Sequence, residues 1–195
     1  MKKTLINVLQ AYVGESQARN RYTFYGKVSK KEGYEQIAGL FYEIANQEKT
    51  HGKNFFRMYQ QLAKESDLNE KEIKLNDVPV PTVYETTIEN LKAAIAGEHW
   101  ENSTLYPKFA KIADEEGFPK IAAQIRAIGK AEEHHEEIYT KLLKQLEEGT
   151  VFKKEEKIYW VCRECGYIHY GTEPPENCPS CNHPQSYFQR KCEEF

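Results

Sequence analysis

The sequence predicts a mainly α-helical protein: a four-helix bundle followed by a small, cysteine-rich metal domain. Three observations support this prediction. Two copies of Glu-x-x-His lie 84 residues apart, each on the apolar stripe of a helical segment. The two halves of residues 1–149 repeat one another. All five cysteines follow residue 160, and four of them form two Cys-x-x-Cys pairs. We therefore expect two separate metal-binding units in one chain.

Length and charge narrow the classes of function. The 195 residues can bury one good core and carry a small second module, and the formal net charge is only −3. The absence of a long basic patch argues against nucleic acid or anionic membrane as a partner. No apolar run approaches the length of a membrane span, and Met1-Lys2-Lys3-Thr4 lacks the following apolar region of a signal peptide. We expect a soluble, cytoplasmic protein.

Four helical segments are readable because apolar residues recur at steps of three and four. Glycine turns at residues 31–33 and 115–117 separate the segments within each pair, and Ser66 to Thr82 forms a long polar connection between the pairs. The segments are predicted at about Thr4 to Lys30, Tyr34 to Lys64, Val83 to Asp114, and after Gly117 to about Glu148, where Gly149 ends the last. Two short turns and one long connection indicate a four-helix bundle.

The internal repeat links the two helical pairs. Residues 31–38 match residues 115–122, and Tyr22 matches Tyr106 at the same offset of 84. Upstream the offset is 83, so one residue is inserted between the two matches. After Gly149 the helical period is lost and aromatic residues, prolines and cysteines appear. We therefore predict a bundle domain at 1–149, a linker at 150–157 and a loop-rich metal domain at 158–195.

Each helical pair contributes one upstream glutamate and one Glu-x-x-His motif, all on inward faces. A buried carboxylate is costly unless something neutralises it, and a metal ion does so. Carboxylate and imidazole donors suit iron or manganese, and bridging carboxylates can hold two ions; the pattern is typical of ferritin-like di-iron and di-manganese proteins. The predicted ligands are Glu15, Glu48, His51, Glu98, Glu132 and His135.

Further side chains surround this set. Glu101, three residues after Glu98, is a seventh candidate ligand, and its counterpart in the repeat is Ala18, so the site is asymmetric. Tyr22 and Tyr106 face inward near the acids, either as core packing or as phenols that hydrogen-bond to a ligand carboxylate. We expect His134 to point away from the stripe and to be exposed or an outer partner rather than a ligand.

The four-cysteine module predicts a tetrahedral sulfur site for zinc or iron, and its spacing does not discriminate between the two. Its predicted ligands are Cys162, Cys165, Cys178 and Cys181, with twelve residues between the pairs. Gly166 permits the turn that brings backbone N–H groups towards sulfur. Because four thiolates already complete a tetrahedron, His169 and His183 are not expected to be ligands. Cys192 is expected to be a free thiol.

Taken together, these motifs resemble the rubrerythrin family over essentially the whole chain. The resemblance is carried by Glu15, Glu48-x-x-His51, Glu98-x-x-Glu101, Glu132-x-x-His135, Cys162-x-x-Cys165-Gly-Tyr and Cys178-Pro-x-Cys181. Tyr106-Pro107 after Glu101 resembles rubrerythrins more than ferritins, whereas Cys192 has no place in the family pattern. The resemblance implies a ferritin-like domain with two non-haem iron ions and a rubredoxin-like domain with one iron, which zinc can replace on recombinant expression.

The resemblance also implies a function. It implies a non-haem iron peroxidase that reduces hydrogen peroxide to water and protects against oxidative stress. Electrons from a rubredoxin or an NAD(P)H-dependent reductase would enter at the four-cysteine iron and pass to the di-iron site. The subunits would pair head to tail as a homodimer, and any helix exchange, which some members have, would use Ser66 to Thr82. The expected catalytic residues are Glu101, as a proton carrier, and the two tyrosines Tyr22 and Tyr106.

Two other functions are compatible with parts of the sequence. Iron oxidation and storage would suit the carboxylate site, but it gives no reason for the four-cysteine module. A zinc-ribbon interaction protein would suit the cysteines, but it gives no reason for buried Glu-x-x-His pairs.

Overall fold

The computed structural model of the protein describes residues 2–76 and 78–192. Met1, Asp77 and residues 193–195, which belong to the predicted bundle, connection and metal domain, lie outside the described residues. The helices are α1 (Lys3–Lys31), α2 (Glu35–Glu65), α3 (Thr87–Trp100), α4 (Tyr106–Glu115) and α5 (Pro119–Glu147). A π-helical turn at Glu101–Leu105 joins α3 to α4, so that four long helical rods form the bundle. The predicted mainly α fold is confirmed.

Both predicted glycine turns are present. Gly33 has a φ of 86° and Gly117 a φ of 85°, a left-handed backbone conformation that glycine adopts without strain. At the first turn Tyr34 N–H donates to the carbonyl of Ser29 at 2.9 Å, which satisfies one of the last carbonyls of α1. The second turn ends α4 in the same way.

The predicted start of the third segment, Val83, is wrong. The helix begins at Thr87, because the side chain of Thr86 accepts a hydrogen bond from Glu89 N–H at 3.3 Å and caps it. The residues just before the cap have no regular secondary structure, and the carbonyl of Val83 instead accepts a hydrogen bond from Tyr25 at 2.7 Å. The connection therefore ends four residues later than the periodicity indicates.

The π-helical turn was also not predicted, although the repeat contains its signal. The offset between the halves is 83 at Glu15 and Glu98 but 84 at Tyr22 and Tyr106. A π-helical turn accommodates one extra residue within a helix, and Glu101–Leu105 lies between the two matches. The extra residue in the second half is therefore absorbed without breaking the rod.

Two hydrophobic clusters fill the bundle, one towards each end. The first includes Leu5, Val8, Phe55, Leu62, Phe109 and Ile125, and the side chains of Leu68, Ile73 and Leu75 in the connection pack against it. The second includes Tyr25, Ile37, Phe41, Leu91, Tyr139 and Leu142. Along every rod the buried glutamates lie between these clusters. Within the described residues, no helix is both long enough and apolar enough to cross a membrane.

The C-terminal module contains a three-stranded antiparallel sheet in the order β2-β1-β3. Its strands are β1 (Ile158–Cys162), β2 (Ile168–Gly171) and β3 (Phe188–Arg190). Trp160 and Phe188 are buried with two of the cysteines and form its small core. The module lies against the beginning of α2, where the guanidinium of Arg163 occupies the space that a side chain at Gly39 would need.

Candidate metal centres

Six carboxylate and imidazole side chains converge between the two hydrophobic clusters, as the sequence predicts. They form two overlapping groups, and within each group one potential ligand atom per residue lies within 4.8 Å of the others. The first group is Glu15, Glu48, His51 and Glu132, and the second is Glu48, Glu98, Glu132 and His135. Both groups share Glu48 and Glu132, so the arrangement describes two adjacent positions with two common carboxylates.

The two shared carboxylates each face both histidines. Glu48 places one oxygen 2.9 Å from Nδ1 of His51 and the other 3.0 Å from Nδ1 of His135. Glu132 places its two oxygens 3.0 Å and 2.9 Å from the same two nitrogens. A carboxylate whose two oxygens point to two different positions is a bridging ligand in form. Glu15 and Glu98 each belong to one position only.

The cluster fits a pair of cations. Glu15, Glu48, Glu98 and Glu132 are at most 1% exposed. In the described residues each has at least one carboxylate oxygen that accepts no well-aligned hydrogen bond. This holds for both oxygens of Glu132, although they lie 3.0 Å and 2.9 Å from histidine nitrogens. Unpaired buried acceptors are expensive, and several that face one point are best satisfied by metal ions. Oxygen and imidazole nitrogen donors are those that iron and manganese accept.

The two tyrosines bind the outer carboxylates across the bundle. Tyr22 donates a hydrogen bond of 2.5 Å to Glu98, and Tyr106 donates one to Glu15. Each tyrosine therefore orients the glutamate of the other helical pair. Of the two possibilities left open by the sequence, the hydrogen bond to a candidate ligand is the one observed.

Glu101 lies beside the two groups rather than within them. It begins the π-helical turn, it is partly buried, and its Oε1 lies 3.6 Å from where a Cβ on Gly14 would be. Burial, followed by the negative charges of the neighbouring Glu98 and Glu132, raises the pKa of Glu101 well above its usual value. A carboxyl group with a raised pKa next to the cluster is suited to proton transfer.

Two contacts around the candidate sites were not predicted from the sequence, whereas the expected exposure of His134 is observed. Gln47 accepts a hydrogen bond of 2.7 Å from Nε2 of His135. Nδ1 of His183 lies 3.3 Å from Sγ of Cys181, which makes it a neighbour of the thiolate site. No sequence motif marks either contact. His134 is exposed, as expected.

Burial and mutual repulsion shift the pKa values of the cluster. Burial, followed by the charge of Glu132, raises the pKa of Glu15 well above its usual value, and burial raises that of Glu98. Burial alone would lower the pKa of His51, but the facing carboxylates of Glu132 and Glu48 raise it to about 9. Several of the candidate ligands therefore carry protons at neutral pH when no metal is bound.

This predicts that metal binding releases protons. Ligands must be deprotonated to bind, so protons compete with Fe²⁺, and lowering the pH weakens binding. Because the pKa of His51 is raised from 6.5 to about 9, affinity should keep rising with pH towards about 9. Anaerobic calorimetric titration with Fe²⁺ in two buffers of different ionisation enthalpy measures the protons released. Equal heats in both buffers, with an affinity that is flat above neutrality, would contradict this expectation.

The four predicted cysteines also come together. Sγ of Cys162 lies 3.7 Å from Sγ of Cys181, and Sγ of Cys165 lies 3.6 Å from Sγ of Cys178. A tetrahedral site with metal–sulfur bonds of about 2.3 Å has edges of roughly 3.8 Å, so the thiols fit a single ion. The predicted turn residue Gly166 has a φ of 76°. The remaining cysteine, Cys192, is exposed and free.

The bundle and the C-terminal module each match a family model. The rubrerythrin model matches residues 7–143, which contain every candidate ligand of the bundle. The chain belongs to the rubrerythrin family. A second model, the rubredoxin-like domain of rubrerythrin, matches residues 160–189, which contain the four clustered cysteines. A Methanocaldococcus jannaschii protein named as a rubrerythrin is 55% identical over 195 residues, covering 100% of this chain and 96% of that protein.

Solved structures agree with this assignment. Fully reduced, all-ferrous nigerythrin is 31% identical with a TM-score of 0.63, covering 98% of this rubrerythrin chain and 88% of the nigerythrin chain. A Desulfovibrio desulfuricans bacterioferritin, 20% identical with a TM-score of 0.62 over 75% of this chain and 82% of its own, shows the shared ferritin-like fold. The rubrerythrin family binds iron, so the predicted cofactors, a di-iron pair and a four-cysteine iron, are confirmed. Which side chain binds which ion remains a prediction.

Proposed function

We propose that this member of the rubrerythrin family is a non-haem iron peroxidase that reduces hydrogen peroxide to water in the cytoplasm and limits oxidative stress. The observation that carries the proposal is the combination, in one chain, of a two-position carboxylate–histidine cluster and a four-thiolate cluster. The first suits a two-electron reaction, and the second suits delivery of single electrons. The reaction consumes one hydrogen peroxide, two electrons and two protons, and it yields two waters.

We assign the iron ligands residue by residue. Glu48 and Glu132 would be shared by the two ions, Glu15 and His51 would complete one position, and Glu98 and His135 would complete the other, with Glu101 available as an additional oxygen donor. The mononuclear iron is assigned to Cys162, Cys165, Cys178 and Cys181. The unpaired buried oxygens of the bundle cluster and the short sulfur–sulfur distances support these assignments. When bound, the two ferrous ions supply the two electrons and act as Lewis acids.

The protein supplies access, orientation and protons. A surface cavity of about 330 Å³, lined by residues that include Ser16, Arg19 and Gly52, reaches Glu48 and supports entry of a small substrate. The phenols of Tyr22 and Tyr106 keep Glu98 and Glu15 in position. Glu101, whose pKa is raised by burial and by the neighbouring carboxylates, would transfer a proton to the departing oxygen.

The proton role of Glu101 can be tested by substitution. Glu101→Gln keeps an oxygen donor but cannot carry the proton, and Glu101→Ala removes both functions. We expect peroxide turnover to fall about 100-fold or more in each variant, the usual scale for loss of a general acid. Stopped-flow measurements on protein of verified iron content provide the check, with the exposed Glu115→Ala as the control. Full turnover in Glu101→Ala would remove the role.

We further propose a head-to-tail homodimer. The four-cysteine domain lies at the beginning of α2, where Arg163 covers Gly39. Glu48 and His51 lie nine and twelve residues further along, roughly 14–18 Å at 1.5 Å per residue. In the proposed dimer, the four-cysteine iron of one chain transfers electrons to the di-iron centre of the other chain. A rubredoxin or an NAD(P)H-dependent reductase is the proposed donor, and the segment Ser66–Thr82 is where a helix exchange would cross.

The proposed domain boundaries are 1–149 for the bundle, 150–157 for the linker and 158–195 for the four-cysteine domain. Both family-model matches fall inside these limits, which supports them. The change from a long helix to short strands after Glu147 supports them further.

Anaerobic titration of the fully reduced protein tests the proposed activity. We expect hydrogen peroxide to reoxidise the iron with one equivalent per two electrons, and to do so faster than dioxygen at equal concentration. Faster oxidation by dioxygen, with iron accumulating beyond the three ions per chain, would favour iron storage instead. A colourless preparation that contains only zinc in the thiolate site would favour an interaction module.

A further inference from the structure

A glutamine outside both donor groups contacts one of the candidate ligands. The ring of His135 is 2% exposed, and its Nδ1 faces the carboxylates of Glu48, Glu98 and Glu132 at 3.0, 3.6 and 2.9 Å. Its other nitrogen, Nε2, lies 2.7 Å from Oε1 of Gln47 on α2. An imidazole that binds a metal through Nδ1 keeps its proton on Nε2, so the N–H group donates to this amide oxygen.

We infer that Gln47 is a positioning residue that holds His135 as an Nδ1 ligand. The inference rests on the proposed di-iron centre. A hydrogen-bond acceptor behind a ligating imidazole sets the tautomer, orients the ring and makes the ligand more basic. Gln47 belongs to α2 and His135 to α5, so the bond also ties the two Glu-x-x-His helices together at the level of the metal.

Among the described residues, this hydrogen bond to a ligand imidazole is found on one side of the pseudo-symmetric centre and not on the other. The residue that corresponds to Gln47 in the repeat is Ala131, whose side chain has no acceptor. His51 is 12% exposed, and in the part of the chain that the structure describes no side-chain acceptor pairs with its Nε2. The imidazole of His135 is therefore held at both ring nitrogens, whereas that of His51 is held through Nδ1 alone.

Substitution of Gln47 can separate hydrogen bonding from packing. Because Gln47 is an exposed residue, replacing it leaves no internal cavity. Gln47→Leu keeps similar bulk, offers no acceptor and hinders water from taking over the bond, whereas Gln47→Glu keeps an acceptor oxygen. Gln60→Leu is the matched control, since Gln60 is an exposed glutamine on the same helix.

Titration with Mn²⁺, monitored by the electron paramagnetic resonance signal of the free ion, measures both positions without activity. The full chain with iron in its four-cysteine site should bind two equivalents. In Gln47→Leu one equivalent should weaken about 10- to 100-fold, the usual loss when an outer partner of a metal-bound histidine is removed. The other equivalent should be retained, and Gln47→Glu and Gln60→Leu should behave like the unsubstituted protein.

Two results would overturn the inference. One is equal binding by Gln47→Leu and Gln60→Leu, and the other is an equal loss in Gln47→Leu and Gln47→Glu, since the acceptor would then be irrelevant. If Gln47→Leu does not fold, Gln47→Ala replaces it, with a smaller loss expected because water can accept the bond. Failure of the unsubstituted chain to bind two equivalents would instead refute the proposed centre.

Discussion

Replacing Glu132 by glutamine is expected to abolish the paired metal centre and nearly all peroxide turnover. Neither oxygen of Glu132 accepts a well-aligned hydrogen bond among the described residues, although the two lie 3.0 Å and 2.9 Å from Nδ1 of different histidines. A neutral amide has one oxygen and one N–H₂ group, so it can face only one ion as a donor. Removing a residue that only hydrogen-bonds to a metal ligand lowers metal affinity about 10- to 100-fold, so we expect loss of the direct ligand Glu132 to lower it more than about 100-fold.

The neighbouring residue supplies the control. Glu133 is exposed on the same helix and pairs with Lys130 at the surface, so Glu133→Gln makes the same chemical change away from the cluster. Iron content and stopped-flow peroxide reduction are measured on both variants. Two bound iron ions and unchanged turnover in Glu132→Gln would contradict the bridging assignment. A matching loss in Glu133→Gln would indicate a general effect of charge on the helix rather than loss of a ligand.

The inward orientation of the six donor side chains of the bundle was predictable from the periodicity of the apolar residues. Glu48 and His51 interrupt an apolar stripe at the i and i+3 positions, so that the helix has to bury both side chains on one face. The internal repeat then requires Glu132 and His135 to do the same. The six side chains then come together because, in a four-helix bundle, residues at the same level along the helix axes are neighbours.

The details that periodicity does not encode were missed. Gln47 is exposed and polar, like most residues on the outer face of a helix, and its bond to His135 depends on how α2 and α5 cross. The π-helical turn is reflected in the sequence by the changed offset of the repeat, but this offset does not indicate which backbone hydrogen bonds shift. The contact of His183 with Cys181 depends on loop geometry, which local sequence rules describe poorly.

Removing the thiolate site is expected to uncouple the chain from its electron donor while sparing the bundle. Cys162 and Cys178 are buried beside Trp160 and Phe188 in the small core of the module, so replacing both cysteines by serine removes the ion and loosens the module. Donor-linked peroxide turnover should fall at least about 100-fold, since electrons no longer enter. Chemically reduced protein should still react with one equivalent of peroxide at a nearly unchanged rate, because the bundle keeps its own core.

A mixed dimer then distinguishes transfer between chains from transfer within one chain. One chain carries the two cysteine substitutions and the other carries Glu132→Gln, with different affinity tags so that the heterodimer can be purified. If the four-cysteine iron of one chain serves the other chain, one of the two symmetry-related routes stays intact, and activity should recover to about half of that of the unsubstituted dimer. If electrons pass within a chain, neither chain has both centres and the heterodimer stays inactive. An inactive heterodimer would therefore refute the head-to-tail arrangement. It would not refute the peroxidase proposal, which is tested separately by the reaction of the chemically reduced protein with one equivalent of peroxide.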